Sequence, residues 1–243
     1  DLHRRRHSFP TRRSSDLLSF SGNGDTVWNG SLLTIGSSTT GYLDTLTKSG
    51  SGLLRINGTG SNYIGSTIVN DGILQVGSMD ALNNSSPVNG SIALNGGGFS
   101  FAGSSSETTN KLINLTSASD GLLLAEGSGS ASINFTGGVT AGSVGAKTLV
   151  LAGKNVSANS LSYMISDGSG VVSLLKTDLG TWYYAPSSPA TKVGPTGITG
   201  TGTIYAGTLQ VSSSSGILVG MGVSSGTAVS AVVTAISGNT IWL

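Results

Sequence analysis

The 243-residue sequence predicts an all-β protein built as a β-solenoid, a fold of stacked coils. Apolar residues occur in short groups separated by Gly, Ser, Asn and Asp, which is typical of short strands joined by tight turns. No eleven-residue window has the apolar spacing of an amphipathic helix without a glycine. A strand–turn–strand unit also occurs twice. A unit with one narrow apolar row cannot bury itself alone, so it is expected to stack on neighbouring coils.

Composition excludes several classes of protein. The chain has 38 glycines, 9% charged residues and no cysteine, whereas soluble proteins average about 25% charged residues and about 7% glycine. Without cysteine there is no disulfide framework, thiolate zinc site or cysteine nucleophile. A hydrophobic content of 37% is enough for a core and argues against disorder. No apolar run approaches the roughly 18 residues of a membrane-spanning helix.

Residues 1–17 differ from the rest of the chain. They hold five of the twelve basic residues and both histidines, whereas the sequence from residue 18 onward has seven Lys/Arg and nine Asp/Glu. A targeting segment would need an apolar stretch of 7–15 residues after the basic ones, and none follows. Residues 7–17 (HSFPTRRSSDL) resemble the translation of a sequencing adapter. We therefore expect 1–17 to be an artefactual, disordered leader and set aside a nucleic-acid-binding arm.

The internal repeat defines the organisation of residues 18–215. Residues 46–56 align with 174–184 at an offset of 128, and 69–76 align with 204–211 at an offset of 135. The repeat units therefore cover about 46–77 and 174–212, and the second carries a net insertion of seven residues within 186–200.

Alternation within the first unit predicts which side chains are buried. Val69, Leu74 and Val76 are expected to point inward and Ile73 and Gln75 outward, with a bend at the intervening glycine. The solenoid as a whole is expected to have Val, Leu and Ile inside and Ser, Thr and Asn outside.

Three segments of the first unit carry a family resemblance. Residues 48–52 (KSGSG), 62–65 (NYIG) and 69–77 (VNDGILQVG) are similar to the autotransporter-associated β-strand repeat of large bacterial surface proteins. The resemblance implies a right-handed parallel β-helix of the passenger type. The second unit departs from the pattern, because Asp178 and Pro186 replace glycines.

The last residues, 216–243, form a different pattern that is denser in Val and Ala. They resemble a short β module of phage-like and bacterial surface proteins. We expect a small, separate and truncated hairpin unit there.

The sequence offers little catalytic chemistry. No histidine follows residue 7, so a Ser/His/Asp triad or a histidine metal site is not expected. A glycosidase-type site needs two acids about 5–9.5 Å apart. The nine acidic residues are widely spaced, and Asp71, Asp120 and Asp167 each precede a glycine, as turn residues do. Residues 96–100 have glycines but no Asp for a calcium repeat, so we predict neither a metal nor a cofactor.

Four residues are candidates for surface binding: Lys48, Lys176, Trp182 and Tyr183. The two lysines occupy the same place in the repeat, either as a row facing a ligand or as solvated residues that discourage edge pairing. The aromatic residues form either a platform for sugars or, with Trp182 and Tyr184 inside and Tyr183 outside, part of the core.

Together these features predict a non-catalytic, adhesive and structural passenger region of an autotransporter-like protein at the bacterial surface or secreted. Its expected partners are surface glycans or proteins of a host or the environment. Nucleic acid is not expected, because the body is slightly acidic, and this segment is not expected to insert into a membrane. Further repeats and an anchoring domain are expected in the same protein. The alternatives are a β-helix enzyme acting on polysaccharides and a structural protein of a phage tail or filament.

Overall fold

The computed structural model describes residues 18–33, 45–83, 90–116 and 120–184, followed by the backbone of six strands between 202 and 242. The leader 1–17 and the insertion 186–200 lie outside the described residues.

Three parallel sheets form the walls of the solenoid. Sheet A contains β1 (Leu18–Phe20), β3 (Leu46–Lys48), β5 (Thr67–Val69), β7 (Ile92–Leu94), β10 (Ile113–Leu115), β13 (Val139–Ala141) and β16 (Ile165–Ser166). Sheet B contains β2 (Thr26–Trp28), β4 (Leu53–Ile56), β6 (Ile73–Val76), β8 (Gly98–Phe101), β11 (Gly121–Ala125), β14 (Ala146–Ala152), β17 (Val171–Lys176) and β19 (Gly202–Ile204). Sheet C contains β9 (Glu107–Thr109), β12 (Ile133–Phe135), β15 (Asn159–Leu161), β18 (Thr181–Tyr184) and β20 (Thr208–Val211).

The described strands β1 to β6 alternate between sheets A and B, and from β7 to β18 the chain visits sheet A, then B, then C. Strands of successive coils pair in parallel within each sheet. In the coil before β9, the 3-10 helix Met79–Leu82 lies against that strand. Inward side chains form one continuous core from Leu32 to Trp182, while Ile73 and Gln75 point outward. The predicted β-solenoid is confirmed, as is the predicted alternation in β6.

The two repeat units occupy different corners of the solenoid. The turn between β3 and β4 leads from sheet A to sheet B, whereas the aligned turn between β17 and β18 leads from B to C. Within each unit the two halves stack on each other. Leu46 pairs with Thr67, 21 residues later, and Leu174 pairs with Gly202, 28 residues later. The two strand pairings are thus equivalent, although the second joins residues that are seven positions further apart in the sequence.

Glycines form columns at the corner between sheets A and B. A Cβ atom on Gly52 would lie 2.3 Å from the carbonyl oxygen of Gly24, and one on Gly72 would lie 2.4 Å from that of Gly52. Coils stacked about 4.8 Å apart therefore leave no space for a side chain there. The aligned corner of the second unit keeps the left-handed backbone, with φ of 55° at Asp178 and 79° at Gly50.

Toward the end of the chain, β21 (Gly222–Ser225) pairs antiparallel with β22 (Val229–Val232), and β23 (Ala235–Ser237) pairs antiparallel with β24 (Thr240–Trp242). The boundary of a separate module at 216–243 stays a prediction. Among the described residues, no helix has the length and hydropathy needed to cross a membrane.

The glycine column gives a matched test of coil stacking. We expect Gly52→Ala to lower the free energy of unfolding by about 1–3 kcal/mol, because the new methyl group overlaps the neighbouring coil. Gly24→Ala, in the same column but with nothing within 4 Å of the added Cβ, should change it far less. Urea unfolding of both variants checks this. Equal effects of the two substitutions would contradict the stacked corner.

Candidate binding face

Of the four surface-binding candidates, three are interior. Lys48, Lys176 and Trp182 are 3%, 0% and 0% exposed. Only Tyr183 points outward, half-buried on sheet C beside Ser160. The interior places of the other three leave them no surface to offer a ligand in this structure.

The two repeat lysines bind backbone carbonyl groups at the corners. Lys48 Nζ donates to the carbonyl oxygens of Ser49 and Asp71, each at 3.2 Å, and to that of Gly50. Lys176 Nζ does the same for the turn that follows β17, donating to the carbonyl oxygen of Asp178 at 2.8 Å. Desolvation lowers the pKa of both lysines, and a nearby carboxylate, Asp71 or Asp178, partly offsets the lowering. Both lysines therefore stabilise the backbone at corners of the solenoid. Neither alternative from the sequence, a row facing a ligand or solvated residues, includes this role.

Lys111 is a third interior lysine, in the corner between β9 and β10, where it is 2% exposed. Burial lowers its pKa to about 8. The unfolded chain holds this proton up to the ordinary lysine pKa near 10.5, so the ammonium group destabilises the folded state at neutral pH.

Trp182 is part of an aromatic stack inside the solenoid. Its ring lies 6.4 Å from Phe135, at an interplanar angle of 18°, and its Nε1 donates to the carbonyl oxygen of Ala152 at 2.9 Å. Phe99 also packs edge-on against Phe135, with the ring centroids 6.2 Å apart. Trp182 thus fills the core, and its polar atom is satisfied there.

Several carboxylates cap backbone N–H groups instead of meeting one another. Their carboxylate oxygens accept hydrogen bonds from backbone N–H groups at oxygen–nitrogen distances of 2.6–2.8 Å. The residues are Asp71, Asp80, Glu107 and Asp167. Within the ranges that the structure describes, no group of three or more His, Cys, Asp or Glu could hold a metal ion. The acids serve as turn and corner residues.

The outer face of sheet B differs from those of the other two sheets. Sheets A and C mainly present Thr, Ser and Asn to solvent, as predicted. In sheet B one column of paired, outward positions is apolar and half-buried, comprising Leu53, Ile73, Leu122, Val150 and Leu175. Only Gly98 interrupts the column between the second and third of these residues. The expected exterior of Ser, Thr and Asn is therefore not found along this column, in which Ile73, predicted to point outward, is one of several apolar residues.

A groove of about 570 Å³ crosses this face over β4, β6, β8 and β11. Its lining includes the small residues Gly77, Ser100 and Ala102 and the charged side chains of Arg55 and Glu126. Gln75 Nε2 donates to Ser100 Oγ at 3.1 Å. The other amide atom, Gln75 Oε1, is buried without a partner among the described residues. Sequence reasoning missed this face, although runs such as Leu122-Leu123-Leu124, in place of alternation, signal strands that are apolar on both faces.

Comparison with known proteins gives one relative. The chain is 33% identical over 189 aligned residues to the "Adhesin BmaC autotransporter" of Brucella suis biovar 1 (strain 1330). The alignment covers 69% of this chain and 6% of that much longer protein. No family model matches the chain, and no solved structure matches it.

Lys111 provides a pH-dependent test. We expect Lys111→Met to raise the free energy of unfolding at pH 7 by on the order of 1–3 kcal/mol, because it removes a buried charge. The parent chain gains stability as pH rises from about 8 to 10.5, since its unfolded state binds the extra proton. The difference in free energy of unfolding between the variant and the parent chain should therefore become smaller between pH 8 and pH 10.5. Urea unfolding at pH 7 and pH 10 measures it, with Lys154→Met at an exposed lysine as control; a constant gap contradicts the assignment.

Trp182 and Tyr183 are adjacent residues with opposite placement. Trp182→Ala should lower the free energy of unfolding by about 3–5 kcal/mol, as loss of a buried aromatic side chain does. Tyr183→Ala should lower it by about 1 kcal/mol or less. Equilibrium unfolding followed by far-UV circular dichroism compares the two. A larger loss of unfolding free energy for Tyr183→Ala than for Trp182→Ala would contradict this placement. It would mean that Tyr183, and not Trp182, points into the core.

Proposed function

We propose that this chain is an adhesive segment displayed at the bacterial cell surface. The premise is that the chain is a homologue of an autotransporter adhesin and folds as a passenger-type β-solenoid. The observation that carries the proposal is the similarity to a protein named as an adhesin over 69% of the chain. The solenoid supports it, because each added coil extends a rod by about 4.7–4.9 Å.

The proposed role is mechanical and non-catalytic. A stack of coils holds its outer faces at a distance from the cell and presents them to glycans or proteins of a host or environmental surface. The use of carboxylates as backbone caps supports this role over an acid–base enzyme. The proposed binding elements are outward side chains such as Tyr183 and the exposed residues of sheet B.

The whole protein is proposed to contain further coils and a membrane-anchoring domain. The relative supports this part of the proposal, since the matched region is 6% of its length.

Bead adhesion tests the proposed function. Latex beads coated with the 243-residue chain should bind to epithelial cells or matrix-coated plates several-fold more than beads coated with an unrelated parallel β-solenoid of similar size. Beads carrying the urea-unfolded chain serve as the second control. Binding equal to that of the unrelated solenoid would contradict an adhesive role. Release of reducing ends from polysaccharides by the soluble chain would instead identify an enzyme.

A further inference from the structure

We infer that the groove on the outer face of sheet B binds a neutral oligosaccharide, held between Arg55 at one end and Glu126 at the other. The inference rests on the proposed adhesive function and deepens it, because it names one site and one class of ligand.

The groove is shaped by the sizes of the outward residues. The small residues Gly77, Ser100 and Ala102 lie on or directly after β6 and β8, the two central strands. They are flanked by Arg55 on β4 and by Glu126 at the end of β11. Three strand spacings separate β4 from β11, roughly 14 Å along the solenoid axis. The groove volume of about 570 Å³ lies within the range of small-molecule sites, roughly 300–1,000 Å³.

Neither coil stacking nor backbone conformation requires the glycine at position 77. Apart from its chain neighbours, no atom of the described residues lies within 4 Å of a Cβ atom added to Gly77, and its φ is outside the left-handed region. Gly52 and Gly72 differ, because the backbone of the neighbouring coil excludes a Cβ atom there. The missing side chain at Gly77 therefore has one clear effect, which is to leave the groove open.

Gln75 lies between the two charged residues and has an unused acceptor. Its Nε2 donates to Ser100 Oγ at 3.1 Å, whereas its Oε1 is buried without a partner among the residues that the structure describes. A buried acceptor without a donor is unfavourable. A ligand hydroxyl group in the groove supplies the donor once the Gln75 amide turns toward it, so binding satisfies this atom.

Arg55 and Glu126 offer further polar contacts. Arg55 is exposed and Glu126 is half-buried, and within the described part of the chain neither side chain has a hydrogen-bond or ion-pair partner. A guanidinium group only donates and a carboxylate only accepts, whereas a sugar hydroxyl group does both. The apolar side chains of Leu53 and Ile73, also in the lining, suit the C–H face of a sugar ring.

The charges of the lining favour a neutral ligand. One cation and one anion give the groove no net charge. An acidic glycan needs a cluster of cations, but Lys48, Lys111 and Lys176 are interior, and Glu126 repels an anion at its end of the groove.

The coil spacing suits a glycan that lies along the solenoid axis. Successive coils are about 4.8 Å apart, which is close to the length that one pyranose ring adds to an extended oligosaccharide. The distance from β4 to β11 thus accommodates about three sugar rings.

Glycan binding and a groove-filling variant test the inference. The biotinylated 243-residue chain, multimerised on streptavidin so that weak sites act together, is applied to an array of neutral, sialylated and sulfated glycans. We expect it to bind neutral glycans built from hexoses and N-acetylhexosamines. Isothermal titration calorimetry then measures the strongest of these in solution. Gly77→Phe should weaken binding at least ten-fold, whereas Gly24→Phe, at an equally open glycine outside the groove, should leave it unchanged.

Side-chain removal and salt distinguish a neutral ligand from a charged one. Arg55→Ala and Glu126→Ala should each weaken binding about ten-fold, because each removes hydrogen bonds to a charged group. Raising the NaCl concentration from about 0.15 to 1 M should change the dissociation constant less than two-fold, since screening acts on charged ligands. Circular dichroism confirms that every variant folds.

The inference is wrong if no neutral glycan on the array binds, or if only sialylated or sulfated glycans bind. Binding by Gly77→Phe equal to that of the parent chain, or equal losses for Gly77→Phe and Gly24→Phe, would also overturn it, since the ligand would then lie outside the groove. The bead experiment is separate. Adhesion by a chain that binds no neutral glycan contradicts only the inferred ligand, and glycan binding by a chain whose beads do not adhere contradicts only the adhesive function.

Discussion

The distance between successive coils, fixed by backbone hydrogen bonds between parallel strands, constrains every other part of this structure. At about 4.8 Å, side chains can stack along the walls, but at some corner positions the backbones of two coils come too close for a Cβ atom. Gly52 and Gly72 meet this limit where their neighbours' carbonyl oxygens lie within 2.4 Å of an added methyl group. At such positions glycine is a requirement of the stacking.

Buried polar groups follow from the same constraint. At two corners backbone carbonyl groups point toward a buried lysine side chain, and Lys48 and Lys176 supply donors for them. Lysine suits this role because its long aliphatic stem packs in the core while its ammonium group reaches the backbone. Desolvation lowers the pKa of both residues. Burial thus makes the charged form of each lysine less favourable, although that form donates these hydrogen bonds. Buried Asn159, which donates to the carbonyl oxygen of Thr181 at 3.0 Å, satisfies another corner without a charge.

The sequence predicts the architecture better than the site. Turn glycines, short apolar groups and the two-fold repeat were sufficient for a β-solenoid, and Asp178 was recognised as the substitute for a glycine whose left-handed backbone it keeps. The sequence does not predict that the first repeat unit turns from sheet A to sheet B and the second from sheet B to sheet C. Every corner of such a fold is a similar strand–turn–strand segment. The interior positions of Lys48 and Lys176 are not predicted, and the sequence leaves Trp182 open between a surface platform and the core, because an amphipathic or aromatic side chain suits either a surface or an interior. The apolar outer face of sheet B was missed because paired apolar residues such as Leu174 and Leu175 indicate burial without telling on how many sides.

The central claim is that stability is organised by coil, with the strands of one turn protected by the coils on both sides. Amide hydrogen exchange followed by mass spectrometry tests it most directly. The account predicts that β8 and β11, which have a neighbouring coil on each side, exchange slowest, and that exchange accelerates toward β2 at the end of sheet B. Strands of the same coil should exchange at similar rates although they belong to different sheets. Fast exchange throughout β8 and β11, or protection that follows one sheet and ignores the other two, would contradict a stacked solenoid.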